Sequence, residues 1–211
     1  MPNAQLVKEG SVIATLYKQS CAELNSLDLA WTLLMEADYG ELRKAIYSTE
    51  AEFKRFRQLL VNIVLATDII DKDLAALRKA RWSKAFADGP KHIIFDDRTA
   101  TIVIEHLIQA SDVAHTMQHW NVYQKWNERF FAECYAAYKA GRADKDPSEG
   151  WYEGELGFFD FYIIPLAKKL KDCGVFGVSS AEYLRYAEQN RKEWEARGRD
   201  VVAGMIRKFN Q

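Results

Sequence analysis

The sequence predicts an all-α fold, a single irregular bundle of about seven helices spanning residues 1–211. Apolar residues recur at i, i+3, i+4 and i+7 almost everywhere and alternate almost nowhere. Glycine (11) and proline (4) are sparse for 211 residues, too few for the many turns of an all-β chain. At 48% hydrophobic and 28% charged, the composition is that of a globular domain and excludes disorder or a disulfide-stapled miniprotein.

The elements follow in order. Ser26 to Met35 carries Leu27, Ala30, Trp31 and Leu34 on one helical face. Thr49 followed by Glu52 reads as a capping box. Behind it Phe53, Phe56, Leu59, Leu60, Ile63 and Val64 make one wide apolar face, with Lys54, Arg55 and Arg57 off it. Asp71 to Phe86 is a charge-rich helix stopped by the breaker Asp88-Gly89-Pro90. Arg98 to His119 reads as one long helix and Asn121 to Lys139 as the next. Gly141 to Gly150, polar and broken by Pro147, is a loop. A helix resumes from Trp151 to Asp172, with Pro165 as a kink point. After a turn at Cys173 to Gly177, Ser179 and Ser180 can cap a last helix from Ala181 to about Arg197. Glu188/Lys192 and Glu195/Arg199 stand at favourable i, i+4 spacing along it.

Charge and cysteine content narrow the function classes. Lysine plus arginine (29) nearly balance aspartate plus glutamate (30), so nothing points to nucleic acid or an anionic membrane. Cys21, Cys134 and Cys173 are odd in number and far apart, giving neither a disulfide framework nor a zinc ribbon. The segment MPNAQLVKEG has no basic, apolar leader pattern. The greasiest stretch, Leu59 to Ile70, is too short to span a bilayer and contains Asn62 and Asp68. A cytoplasmic, reducing location without membrane insertion is expected.

The common nucleotide-loop, hydrolase and zincin signatures are absent. Two segments stand out. In LVNIVLATDI, Thr67 and Asp68 sit in an apolar run, where a carboxylate is costly to bury unless something satisfies it. In IEHLIQASDVAHTMQHWNVYQKW, His106, Asp112, His115 and His119 fall on one predicted helix. Asp112, His115 and His119 stand at i, i+3 and i+7. By themselves such histidines are more often core-edge or surface residues than ligands.

Taken together, LATDI, then ASDVAHTMQHWNVYQKWNERFF, then ELGFFDFYIIPL resemble the later part of a class I cyclic-nucleotide phosphodiesterase catalytic domain. The family texts are a similar "LATDM", a "CADLSNP" followed by a Trp-containing helix, and "QxGFIxxxxxPL". Order matches, as does the spacing from Asp112 to Trp126. Upstream, PNAQL, Tyr17 and Glu23 resemble the stretch after the family's HDxxHPG motif, so the likeness runs from Pro2 to about Trp194. It implies an HD-domain-type helical bundle in which zinc and magnesium activate a hydroxide that attacks the cyclic phosphate of cAMP or cGMP. Asp112 would ligate zinc, and Glu23 and Thr67 would help order metal-bound water. Asp68 would anchor helices. Phe158 would be the aromatic clamp on the base, Phe130 its apolar opposite face, and Trp126 a backing ring; ordinary core packing is the alternative for all three. Trp120, Tyr123 and His119 are expected only to pack.

The departures are as informative. The family glutamine that meets the purine falls on Glu155; an ionised carboxylate only accepts hydrogen bonds, so it would suit the adenine amino group and not guanine O6. The asparagine of "CADLSNP" falls on His115, leaving it a base-side candidate. Neither HNxxHAxxV nor HDxxHPG, which supply the remaining metal ligands, occurs, and His92, His106, His115 and His119 stand in the wrong places to substitute. One carboxylate does not hold two metals, since zinc takes about four ligands. The expectation is therefore the C-terminal portion of such a domain, its first helices missing before Met1 and its metals not retained by this chain alone. A non-catalytic helical module binding a nucleotide or a protein stays open, as does a plain scaffold. Missing helices would expose apolar faces around Leu27–Leu34 and Thr101–Val113 and favour self-association.

Overall fold

A computed structural model describes residues 3–87, 97–174, 176–177 and 179–209, and these are helical throughout, with no strand. Eleven α-helices are present among them: α1 (Asn3–Lys8), α2 (Val12–Leu16), α3 (Cys21–Met35), α4 (Gly40–Ile46), α5 (Glu50–Ala66), α6 (Lys72–Ala85), α7 (Asp97–Asp112), α8 (Trp120–Lys139), α9 (Trp151–Phe158), α10 (Ile164–Asp172) and α11 (Ser179–Phe209). The excess over about seven lies mostly in α1, α2 and α4, each of seven residues or fewer and too short to print an apolar period. The Asp88-Gly89-Pro90 breaker and His92 lie outside the described residues.

Two compact units share the chain, the described residues up to Gln109 forming one and those from Ala110 onward the other. In the first unit, α3 and α5 meet through rings: Trp31 lies 5.6 Å from Phe53 and 6.4 Å from Phe56, and Tyr47 covers Phe53 edge-on at 5.1 Å. The capping box forms as the sequence predicts, Thr49 Oγ1 accepting from the Glu52 amide while Glu52 Oε2 accepts from the Thr49 amide. At the other end of α5 the carbonyls of Val64, Leu65 and Ala66 are all occupied. Thr67 Oγ1 donates to Val64 O, Arg78 to Leu65 O and Asp68 O, and Gln109 Nε2 to Ala66 O. A buried guanidinium at a helix C-terminus also opposes the helix dipole. α6 and α7 are tied by Trp82 against His106, 4.3 Å apart, and by Arg81 donating to the fully buried Glu105 at 2.5 Å.

The second unit holds a larger core of Tyr123, Phe131, Phe159, Ile163, Leu166, Leu170, Ala187 and Trp194. Its centre is aromatic: Tyr123 lies edge-on to both Phe159, at 5.2 Å, and Trp194, at 5.8 Å. Between α9 and α10 the chain makes one π-helical turn, Phe159–Ile163. Pro165 has no N–H to give to a carbonyl one turn back, and the widened turn lets the chain pass it without a sharp break. α11 runs twelve residues beyond Arg197, to Phe209. Gly198, a poor helix former, sits at that expected stop and is instead a contact: a Cβ there would lie 2.8 Å from the Trp194 ring and 2.9 Å from that of Tyr152. Glu195 pairs with Arg191, and Arg199 reaches Glu153 of α9.

One expected element divides. α7 stops at Asp112, a 3-10 turn covers Ala114–Met117, and His119 becomes the N-cap of α8, its Nδ1 accepting from the Asn121 amide. Asp112, His115 and His119 therefore do not share a helix. Asn190 of α11 holds the turn by donating to Thr116 O and Gln118 O.

Candidate functional site

In the first unit Asp68 is a buried hub. Its Oδ2 accepts from Ser20 Oγ at 2.7 Å and Asn3 Nδ2 at 3.2 Å, and its Oδ1 from the amides of Ile70 and Asp71. Ser20 is held at φ 44°, a left-handed conformation unusual for serine, with its hydroxyl turned to Asp68 rather than capping α3. Asn3 also donates to Glu23 Oε2 at 2.8 Å and accepts from the Ala22 amide. Asp68 thus fastens α1, the start of α3 and the end of α5, the anchoring role its sequence position suggests. Half-buried Glu23 belongs to the same hydrogen-bonded group. The Thr67 hydroxyl is turned back on its own helix, donating to Val64 O at 2.7 Å.

The remaining candidates lie in the second unit. Exposed Asp112 is the last residue of α7, and partial burial of its carboxyl raises its pKa. His115 is half-buried, and desolvation lowers its pKa, favouring the neutral ring. Its ring lies 6.3 Å from that of Trp126, over which Arg129 is stacked at 4.9 Å. Trp126 is 48% exposed and Phe130 55%, so neither is a core residue, although Phe130 touches Trp151 at 5.4 Å. Phe158 is half-buried and stacked on Tyr162, rings 5.4 Å apart and 9° from parallel.

Glu155 has the most structured surroundings. Tyr123 Oη donates to its Oε2 at 2.7 Å, Asn127 Nδ2 donates to Tyr123 Oη at 3.4 Å, and Trp151 Nε1 donates to Asn127 Oδ1 at 3.1 Å. Burial raises the Glu155 pKa, while hydrogen bonds from Tyr123 and Asn127 pull it part of the way back. The same contact, added to burial, pushes the Tyr123 hydroxyl well above its usual range. Tyr123, expected only to pack, and Asn127 are the site residues that sequence reasoning missed. The signal was Asn127 itself, a lone amide in the buried stripe Trp120, Tyr123, Asn127, Phe131, Tyr135 of α8.

The donor set does not fit a zinc–magnesium pair. Among the described residues no three His, Cys, Asp or Glu side chains are placed to hold a metal ion, and two cations need more than one carboxylate. No helix among the described residues is long and apolar enough to cross a membrane.

Comparison with known proteins agrees with this geometry. The chain is 25% identical over 192 residues to a probable 3',5'-cyclic phosphodiesterase, pde-1, of Caenorhabditis elegans, covering 84% of this chain and 26% of that protein. It is 23% identical over 188 residues to the human dual specificity calcium/calmodulin-dependent 3',5'-cyclic nucleotide phosphodiesterase 1B, covering 81% of this chain and 32% of that one. This chain therefore spans roughly a third or less of these two relatives. The fold matches the phosphodiesterase domain of the RhoPDE fusion protein from the choanoflagellate Salpingoeca rosetta with a TM-score of 0.71 at 22% identity, over 99% of this chain and 65% of that one. The sequence pattern of the 3'5'-cyclic nucleotide phosphodiesterase family runs through residues 1–176. On that span, and with the helical fold in agreement, this chain belongs to the 3'5'-cyclic nucleotide phosphodiesterase family.

Proposed function

We propose that the chain is the base-binding part of a cyclic-nucleotide phosphodiesterase domain that hydrolyses cAMP or cGMP to the 5'-nucleotide. The observation that carries this reading is on α9, where Glu155, fixed by Tyr123, stands one turn before the Phe158 ring. A purine needs a flat face to stack on and a fixed polar group at its edge, and residues at i and i+3 share one side of a helix. Phe158 is assigned the stacking face and Glu155 the edge. Phe130 and Trp126, exposed aromatic rings one turn apart on α8, are assigned the opposite and backing walls, and His115 a second base-side group. By the family resemblance Asp112 is assigned to zinc, and Glu23 and Thr67 to ordering metal-bound water. Zinc and magnesium, when bound, would supply the activated hydroxide. Hydrolysis therefore requires ligands beyond those described, and this chain alone is expected to bind nucleotide without turning it over. A cytoplasmic location is consistent with three free cysteines.

Isothermal titration of the purified chain with cAMP and cGMP tests the reading. Binding weakened about tenfold or more by Phe158→Ala supports it, since base–aromatic stacking is worth about 1–3 kcal/mol. No heat at millimolar nucleotide would sink it and favour a protein-binding helical module. With zinc and magnesium added, hydrolysis should be negligible; robust turnover abolished by Asp112→Ala would refute the incomplete metal site.

A further inference from the structure

We infer that Glu155 meets the nucleotide base as an uncharged carboxylic acid, donating one hydrogen bond and accepting another, so that purine selection depends on its proton. The inference rests on the base-pocket reading of α9. Its own support is the set of groups around the carboxyl. Every neighbour that bonds it is neutral: the Tyr123 hydroxyl on Oε2, and the Asn127 amide, which is itself fixed by Trp151.

Two arginines of α11, the helix packed against α9, are engaged with other carboxylates. On α11, Arg199 pairs with Glu153 and lies over the Tyr152 ring, while Arg191 is shared between Asp160 and Glu195. From α8 the further titratable neighbour is Cys134, whose thiol burial and nearby carboxylates, Glu155 among them, hold above its usual range. Among the described residues no Lys, Arg or His forms an ion pair with Glu155. A half-buried carboxylate without a cation partner takes up a proton more readily than an exposed one, in line with the upward direction of its titration, which burial drives and the bonds from Tyr123 and Asn127 only partly offset.

The consequence is specific. With Oε2 accepting from Tyr123, the donor offered to a base would be Oε1. An ionised Glu155 accepts from the adenine amino group and repels guanine O6. The neutral acid can donate to guanine O6, or to a ring nitrogen of adenine while accepting from its amino group. Glu155 would then serve as a glutamine whose donor can be removed by base. The cAMP preference expected of a carboxylate holds only above the Glu155 titration.

Two readouts separate this from the reading it rests on. The first needs no ligand: the infrared carbonyl band of a protonated carboxyl, followed from about pH 5.5 to about pH 8, where an ordinary glutamate near 4.3 is ionised. A band present at the acid end that vanishes in Glu155→Gln supports the inference; no Glu155-dependent band at the acid end overturns it, whatever nucleotide binding shows. The second is the affinity for cGMP and cAMP over the same range. cGMP affinity should fall up to tenfold per pH unit above the titration, with cAMP changing less and Glu155→Gln flattening both profiles. An acid band alongside a pH-independent cGMP/cAMP ratio overturns the selection role. The band with no binding of either nucleotide overturns the base-pocket reading and the selection role with it.

Discussion

Removing the Asp68 carboxylate leaves Ser20 Oγ, Asn3 Nδ2 and the amides of Ile70 and Asp71 without their acceptor. Orphaned buried donors cost about 1–3 kcal/mol each before relaxation. Asp68→Ala should therefore destabilise the chain by about 2–4 kcal/mol in urea denaturation, and a loss below about 1 kcal/mol would show that the hub is not tight. Glu155 makes the opposite kind of prediction. Its folded pKa is raised, so in the window between its unfolded and folded values the native state binds the extra proton. The stability it contributes is fully present below the unfolded value and is lost as pH rises through the folded one. Glu155→Gln should melt at the same temperature or higher at neutral pH and show a shallower loss of stability as pH rises above the ordinary glutamate range; a lower melting point at neutral pH would contradict a carboxyl that prefers to be uncharged. The sequence made Asp68 legible because a charge in an apolar run demands partners. Tyr123 was illegible because its partner stands 32 residues away and nothing local distinguishes a hydroxyl that bonds from a ring that packs.

At the scale of elements, helical periodicity located the long helices and the capping box but not their joints. α7 ends at Asp112 because the chain turns through Ala114–Met117, a turn held by Asn190 from a helix 72–74 residues away, which no local pattern encodes. Gly198 and Gly204 on α11 illustrate the same gap, since one sequence signal covers two structural situations. A Cβ on Gly198 would press on Trp194 and Tyr152, whereas on Gly204 it meets only the far end of Arg207 at 4.0 Å. Gly198→Ala should therefore cost about 1–3 kcal/mol by overpacking. Gly204→Ala should stabilise by roughly 0.5–1 kcal/mol through helix propensity. Thermal melts of the two variants check the pair, and equal shifts would mean that α9 and α11 are not in close contact at Gly198.

For the molecule as a whole, helical apolar spacing and sparse glycine and proline were enough to read a helical globular chain, and the motif order enough to read its family. The distribution of exposed apolar surface was legible only in part. α7 buries Ile102, Val103 and Ala110 and leaves Leu107 exposed, whereas α3 presents Leu29 at 64% and Leu33 at 49% exposure, one turn apart. Val12, Leu16, Ile70 and Leu77 add to the exposed apolar residues of the first unit. Single exposed leucines are ordinary, but a set concentrated in one unit favours association. Light scattering should show the mean mass rising with concentration. Replacing Leu29 and Leu33 together by lysine should reduce that rise while shifting the melting temperature little, because neither side chain is buried. A monodisperse monomer across the same concentrations would show that the exposed leucines of α3 are ordinary solvated surface.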